Sequence, residues 1–228
     1  SWKVRKSAVK VIAGVISSRP EMLHDLYNVA ADELIGRFKE REENVRLDII
    51  NCFTALLNAT LASNRARADD SHRRFGLPQE SIPLVRQRSA VNEVQERVPA
   101  IVRGASKQLA TNSQKTKSAV FNMLRSLCMV LQGGLDAHLT NLFQQVTKCV
   151  ADRNQALKLD ALSFVRVALE LHDYQAVQPH VAEVLRLVSK AVNEDWYKIV
   201  SEALRVLGAI AAVIRPIDQD SGMFEGSY

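Results

Sequence analysis

The sequence predicts an all-α solenoid, a right-handed superhelix of antiparallel helix pairs. Three observations predict it. Apolar residues recur at steps of three and four along most of the chain, no stretch sustains a period of two, and the helix starts repeat at a nearly constant interval. With 228 residues, 47% of them hydrophobic, the chain can bury a sizeable core. Nine Gly and six Pro are too few for a collagen-like or low-complexity chain.

Helices are expected at 2–18, 21–39, 43–61, 93–110, 114–132, 135–151, 155–172, 178–193 and 196–214. Ser18-Arg19-Pro20 stops the first. Pro99 lies inside the fourth and is expected to kink it, because proline removes one hydrogen bond and crowds the preceding turn. Gly133-Gly134 ends the fifth, since glycine tolerates the left-handed cap conformation. The sixth carries Leu135, Leu139, Leu142, Phe143, Val146 and Val150 on one face. Pro179 suits the first turn of the eighth, where a missing N–H costs little. Val181, Val184, Leu185, Val188 and Val192 follow on that helix. Ile199, Ala203, Val206, Leu207, Ile210, Val213 and Ile214 line the ninth, and Pro216 stops it.

A basic residue recurs near the start of alternate helices, at Arg5, Arg46, Lys117, Lys158 and Lys198. The steps are 41, 71, 41 and 40 residues, and the long one equals one repeat plus about thirty residues. A helix-pair period of ~40–47 is that of HEAT or armadillo repeats, and two helices per unit with no short third favours HEAT. The whole chain, 1–228, then reads as one array of about four and a half repeats. The extra length is assigned to a long loop at 62–91, where Gly76, Pro78 and Pro83 break any helical pattern. The recurrent basic residues are expected to form a ladder with turn acids, Asp152 before Lys158 and Asp195 before Lys198.

Several function classes are disfavoured. The longest uncharged apolar stretch, Val206–Ile214, is far shorter than the ~20 residues of a membrane-spanning helix. No cleavage site follows the basic N-terminus, and without an initiator Met the chain is expected to be a piece of a longer protein. Cys52, Cys128 and Cys149 are scattered through helical patterns, as buried thiols of a reducing compartment are. Of the net charge of +5, +3 falls within 62–91, which reads as a loop rather than a folded element, so the charge is weak evidence for a nucleic-acid binder. The five histidines, among them His172 and His180 at an exposed inter-helix turn, have no metal-ligand spacing. With no phosphate-cradling loop and no nucleophile–base pair either, the expectation is no enzyme, no cofactor, no metal and no small-molecule substrate.

Particular strings carry a resemblance. These are Ser1-Trp2-Lys3-Val4-Arg5-Lys6, Arg37-Phe38-Lys39-Glu40-Arg41-Glu42-Glu43-Asn44-Val45, Lys158-Leu159-Asp160-Ala161-Leu162, Tyr197-Lys198-Ile199-Val200-Ser201-Glu202-Ala203-Leu204 and Ile214-Arg215-Pro216. Together, in this order, they resemble the cullin-associated, neddylation-dissociated family, all-HEAT exchange factors of cullin–RING ubiquitin ligases. The resemblance spans the chain except 62–91, where length and composition depart from the family. It implies a central piece of a longer superhelix that wraps an unneddylated cullin and its RING subunit. It also implies exchange of adaptor and substrate-receptor modules, concealment of the lysine that takes the modifier, and a place in cytoplasm and nucleus. The family's adaptor-displacing hairpin would lie far C-terminal of this segment.

Affinity in such a wrapping surface concentrates in aromatic and Arg anchors. Trp2, Lys39, Arg41, Trp196 and Tyr197, at helix starts beside inter-helix turns, are the candidates for partner contact. For Trp2 and Trp196, packing between repeats is the competing reading. A HEAT scaffold of another kind, such as a nuclear-transport receptor or phosphatase scaffold, is the alternative function.

Overall fold

The computed structural model describes residues 1–73 and 90–214. Its helices are α1 (Trp2–Ser18), α2 (Leu23–Leu26), α3 (Asp32–Gly36), α4 (Glu43–Arg73), α5 (Ala90–Leu109), α6 (Gln114–Leu131), α7 (Leu139–Val150), α8 (Gln155–Leu171), α9 (Tyr174–Ala191) and α10 (Tyr197–Ile214). No strand occurs among the described residues. The elements α2 and α3 belong to one helical run, Pro20–Lys39, which tightens to 3-10 geometry at both ends and widens to a π turn at Tyr27–Ala31. The regular helix expected at 21–39 is therefore interrupted at mid-length.

The helices form two layers. In one, α1 packs on α4, α4 on α6, α6 on α8 and α8 on α10. In the other, the Pro20–Lys39 run is followed by α5, α7 and α9. Across the layers α5 pairs with α6, α7 with α8 and α9 with α10, while the Pro20–Lys39 run pairs with α4. The core is the seam between the layers. Tyr27, Phe38, Phe53, Phe121 and Phe164 are fully buried there. Phe38 meets Phe53 edge-on at 5.6 Å, and Phe121 meets Phe164 at 5.9 Å across α6 and α8. Burying a large apolar side chain contributes roughly 1.5–3 kcal/mol, so this seam dominates the stability of a stack whose units touch mainly their neighbours.

Local chemistry sets the element ends. The Ser113 hydroxyl accepts from the Thr116 N–H at 3.1 Å and caps α6, and Asn154 Oδ1 accepts from the Leu157 N–H at 2.9 Å and caps α8. At the end of α6 the left-handed residue is Gln132 (φ 53°), one place earlier than the expected glycine cap. The Gly133 N–H then donates to the Cys128 carbonyl at 3.2 Å, closing a Schellman-type stop.

The structure corrects four further expectations. Residues 62–73 are not loop: they continue α4, because the breakers of that segment all lie beyond Arg73 and Ala62, Arg65, Ala66, Arg67 and Ala68 are good helix formers. Residues 90–91 open α5, and the rest of the expected loop, 74–89, lies outside the described residues. Pro179 is interior to α9, not in its first turn, because the helix starts a turn earlier on the Asp173 carbonyl, which accepts from Ala176 and Val177. The stretch Glu43–Ala66 of α4 is long and apolar enough to cross a membrane by length and composition, with mean hydropathy 1.3. Half of that window is buried, with Ile49, Ile50, Phe53, Leu56 and Leu57 packed into the core. Finally, His172 and His180 are buried rather than exposed.

Candidate partner-binding edge

Antiparallel pairing brings every turn that leads into α4, α6, α8 and α10 to the same edge as the start of α1. Four of the five ladder residues cross or tie this edge. The Arg5 guanidinium grips Glu40 with two bonds, Nε to Oε2 at 2.8 Å and Nη2 to Oε1 at 3.0 Å. Glu40 also accepts from the Arg41 N–H at 2.9 Å, which fixes the turn before α4. Arg46 Nη1 donates to the Glu40 carbonyl at 2.7 Å, and its Nε reaches Thr116 Oγ1 on α6 at 3.3 Å. The Lys158 ammonium pairs with Glu194 in the turn before α10. Lys198 Nζ lies 5.6 Å from the Trp196 ring centre, a cation–π contact. Lys117, half-buried near the Cys149 thiol, has no ion pair among the described residues.

Electrostatics match the geometry. The hydrogen bond from Arg5 holds the Glu40 carboxyl below the usual carboxylate range, and Lys158 does the same for Glu194. The ladder acids are thus Glu40 and Glu194, not Asp195. Asp152 instead accepts from the Asn154 N–H at 2.9 Å and from Gln114 Nε2 at 3.3 Å. Charge pairs on other parts of the stack were not visible in the sequence. Arg166 on α8 donates from Nε to Glu202 on α10 at 2.8 Å while Nη1 contacts both Glu170 oxygens at 2.9 Å. Burial works to raise the Glu202 carboxyl, but bonds from Arg166, Ser163 and Arg205 outweigh it and leave it below the usual range. On the other layer Arg97 joins Asp32 and Glu93 at 2.8 Å each.

The candidate contact residues share the edge but not one cluster. Lys39 and Arg41 are exposed, and no carboxylate lies within ion-pair distance of either side chain among the described residues. Trp2 is 43% exposed at the start of α1, and Tyr197 is 69% exposed at the start of α10. Trp196 is partly buried and packs on the core. Trp2 and Tyr197 stand four helix steps apart, roughly 30–40 Å at usual helix spacings. Such an edge can touch an extended partner at several points.

Burial pushes the Cys52 thiol up to about 11 and the Cys128 thiol up to about 12, which keeps both protonated. Among the described residues no group of three or more His, Cys, Asp and Glu side chains is placed to hold a metal. His172 has both ring nitrogens committed, Nε2 accepting from the Leu135 N–H at 3.1 Å and Nδ1 donating to the Ala168 carbonyl at 2.7 Å. His180 stacks on Phe143 at 4.8 Å, and burial lowers its pKa against the opposing charge of Glu183.

Comparison with known proteins agrees with this geometry. A family model described as "CAND1-like, TPR repeats" matches residues 133–226. The interval between equivalent residues here, 40–41, is that of HEAT or armadillo units rather than the ~34 of TPR units. Cullin-associated NEDD8-dissociated protein 1 of Arabidopsis thaliana is 37% identical over 95% of this chain. The protein of that name from Drosophila melanogaster is 34% identical over 97%. The chain spans 17% of the length of each. An engineered protein of known crystal structure superposes with a TM-score of 0.52 over 93% of this chain and 92% of its own, at 14% identity, a likeness of fold alone. The chain is therefore related, along nearly its whole length, to one segment of the cullin-associated NEDD8-dissociated proteins.

Proposed function

We propose that the chain is part of a non-catalytic HEAT scaffold that wraps an unneddylated cullin and its RING subunit and promotes exchange of adaptor and substrate-receptor modules. The observation that carries this reading is the 37% identity to a cullin-associated protein across 95% of the chain. The two-layer stack supports it, since a curved array of helix pairs presents a long surface for wrapping. In this reading Lys39, Arg41, Trp2 and Tyr197 on the turn edge supply contacts, and the ladder residues hold the edge in shape. The buried thiols suit a reducing compartment, and the proposed location is cytoplasm and nucleus.

The test is titration calorimetry of this chain and of its full-length parent against the same unneddylated cullin–RING complex. Tight binding is expected of the parent and weak binding of the chain, because linking several weak patches raises avidity by roughly 10²–10⁴. Charge reversal of Lys39 and Arg41 in the parent is expected to cost about 1–2 kcal/mol of affinity. No binding by the parent refutes the cullin reading. Nanomolar binding by the chain alone refutes distributed contact.

A further inference from the structure

A cleft of about 260 Å³ opens between α7 and α9, beside the turn edge but apart from the candidate contact residues. Its floor is apolar, from Val150, Leu187 and Ala191, and its walls carry Lys158, Arg186 and Lys190. Lys158 is 7% exposed and its ammonium is engaged by Glu194, the one carboxylate in the lining. Arg186 and Lys190, one turn apart on α9, are exposed, and neither has an ion-pair partner among the described residues. Three cations thus face one carboxylate, and two of the three have no acid of their own.

A helix C-terminus favours basic residues, which accounts for Lys190 in the last turn of α9. It does not account for Arg186, a full turn earlier, nor for a buried lysine facing the same space. We propose that this cleft receives an anionic side chain, carboxylate or phosphorylated hydroxyl, from an extended segment of a protein partner. The apolar floor takes the methylenes of that side chain, and the Arg186 and Lys190 heads take its charge. An arginine guanidinium suits this because its planar fork matches carboxylate and phosphate oxygens. A polynucleotide fits less well: its affinity needs many phosphate contacts, whereas this cleft offers two cations, Arg186 and Lys190, without an ion-pair partner among the described residues.

The inference does not depend on the cullin reading, and its test uses no cullin. Fluorescence anisotropy is measured on the intact chain at low salt with three labelled probes: a hexaglutamate peptide, a phosphoserine peptide of equal length, and an oligothymidylate of equal charge. The Arg186→Glu/Lys190→Glu double variant is compared with Lys10→Glu/Arg103→Glu, an equal charge change at exposed sites on α1 and α5. Saturable binding of at least one peptide is expected, weakened about fivefold or more by the first double variant and at most about twofold by the second. Preference for the hexaglutamate or the phosphoserine peptide identifies which anion the cleft takes. Equal losses in both double variants, no saturable peptide binding, or tighter binding of the oligothymidylate than of either peptide overturns the proposal. If the reversed variant melts lower than the wild type, Arg186→Gln/Lys190→Gln replaces it with the same expected ranking.

Discussion

Replacing Gly133 by Ala tests how closely two repeats approach at the end of α6. Gly133 has φ +107°, a region that L side chains rarely adopt, and an added Cβ would stand 2.5 Å from the Leu171 carbonyl oxygen. That oxygen belongs to the last residue of α8, so the collision is backbone against side chain and no rotamer change relieves it. The strained dihedral costs of order 1–3 kcal/mol. Moving the turn away also loosens the buried bond from the Leu135 N–H to His172, 3.1 Å long, and an unpaired buried group costs about 1–3 kcal/mol. Because these effects overlap, the expected loss is about 2–4 kcal/mol. At roughly 2–4 °C per kcal/mol for a chain of this size, the melting temperature followed by circular dichroism should fall by about 5–15 °C. Gly134→Ala is the internal control: φ is +64° and the nearest atom is the Leu131 Cβ at 3.1 Å, so a cost near 1 kcal/mol is expected. An unchanged melting temperature for Gly133→Ala, or a larger loss for Gly134→Ala, refutes the close-approach argument.

The same reasoning gives opposite signs elsewhere. Gly104→Ala should destabilise, since the new Cβ meets the buried Phe38 ring at 2.8 Å, whereas Gly208→Ala on α10 meets nothing within 4 Å and should stabilise by about 0.5–1 kcal/mol in urea titrations. Glu202→Gln should cost about 1–3 kcal/mol, because it removes the charge paired with Arg166 and Arg205 even though the amide oxygen can still accept one bond. The carboxyls of Glu40, Glu194 and Glu202 are held below their ordinary value of 4.5 in the folded state. Their contribution is therefore complete above about pH 4.5 and is lost as pH falls through the lower folded values. Urea melts between pH 6 and pH 3 should show that loss, and Glu202→Gln should make it shallower. Iodoacetamide at pH 8 should leave Cys128 unmodified in the native protein, as a thiol near pKa 12 is ionised only about once in 10⁴, and mass spectrometry reads the result.

Helices with a clean apolar stripe were legible almost to the residue. The 2–18 and 114–132 readings differ from α1 and α6 by one residue at most. Misreadings arose where two local rules compete. Pro179 suits a first turn, but the Asp173 carbonyl nucleates the helix earlier and the array tolerates an interior proline. Ala62–Arg73 reads as loop only through its proximity to Gly76 and two prolines, whereas its own composition is helical. For the edge, the recurring basic residues were visible as a period, but their partners were not. Choosing Glu194 over Asp195 depends on which turn carboxylate points back to α8, and only the folded turn decides that. His172 looked like a polar turn residue, yet the chain folds Leu135 over it and uses both ring nitrogens.

Every extensive contact in the stack joins elements next to each other in it, and none links α1 with α8 or α10. Mechanically, such a molecule is a row of springs in series, in which compliances add. A few degrees of tilt at each interface sum to a large change in end-to-end direction, while each seam of buried side chains is disturbed only slightly. A partner of slightly different curvature can then be met by elastic adjustment along the whole row, without any single interface having to break.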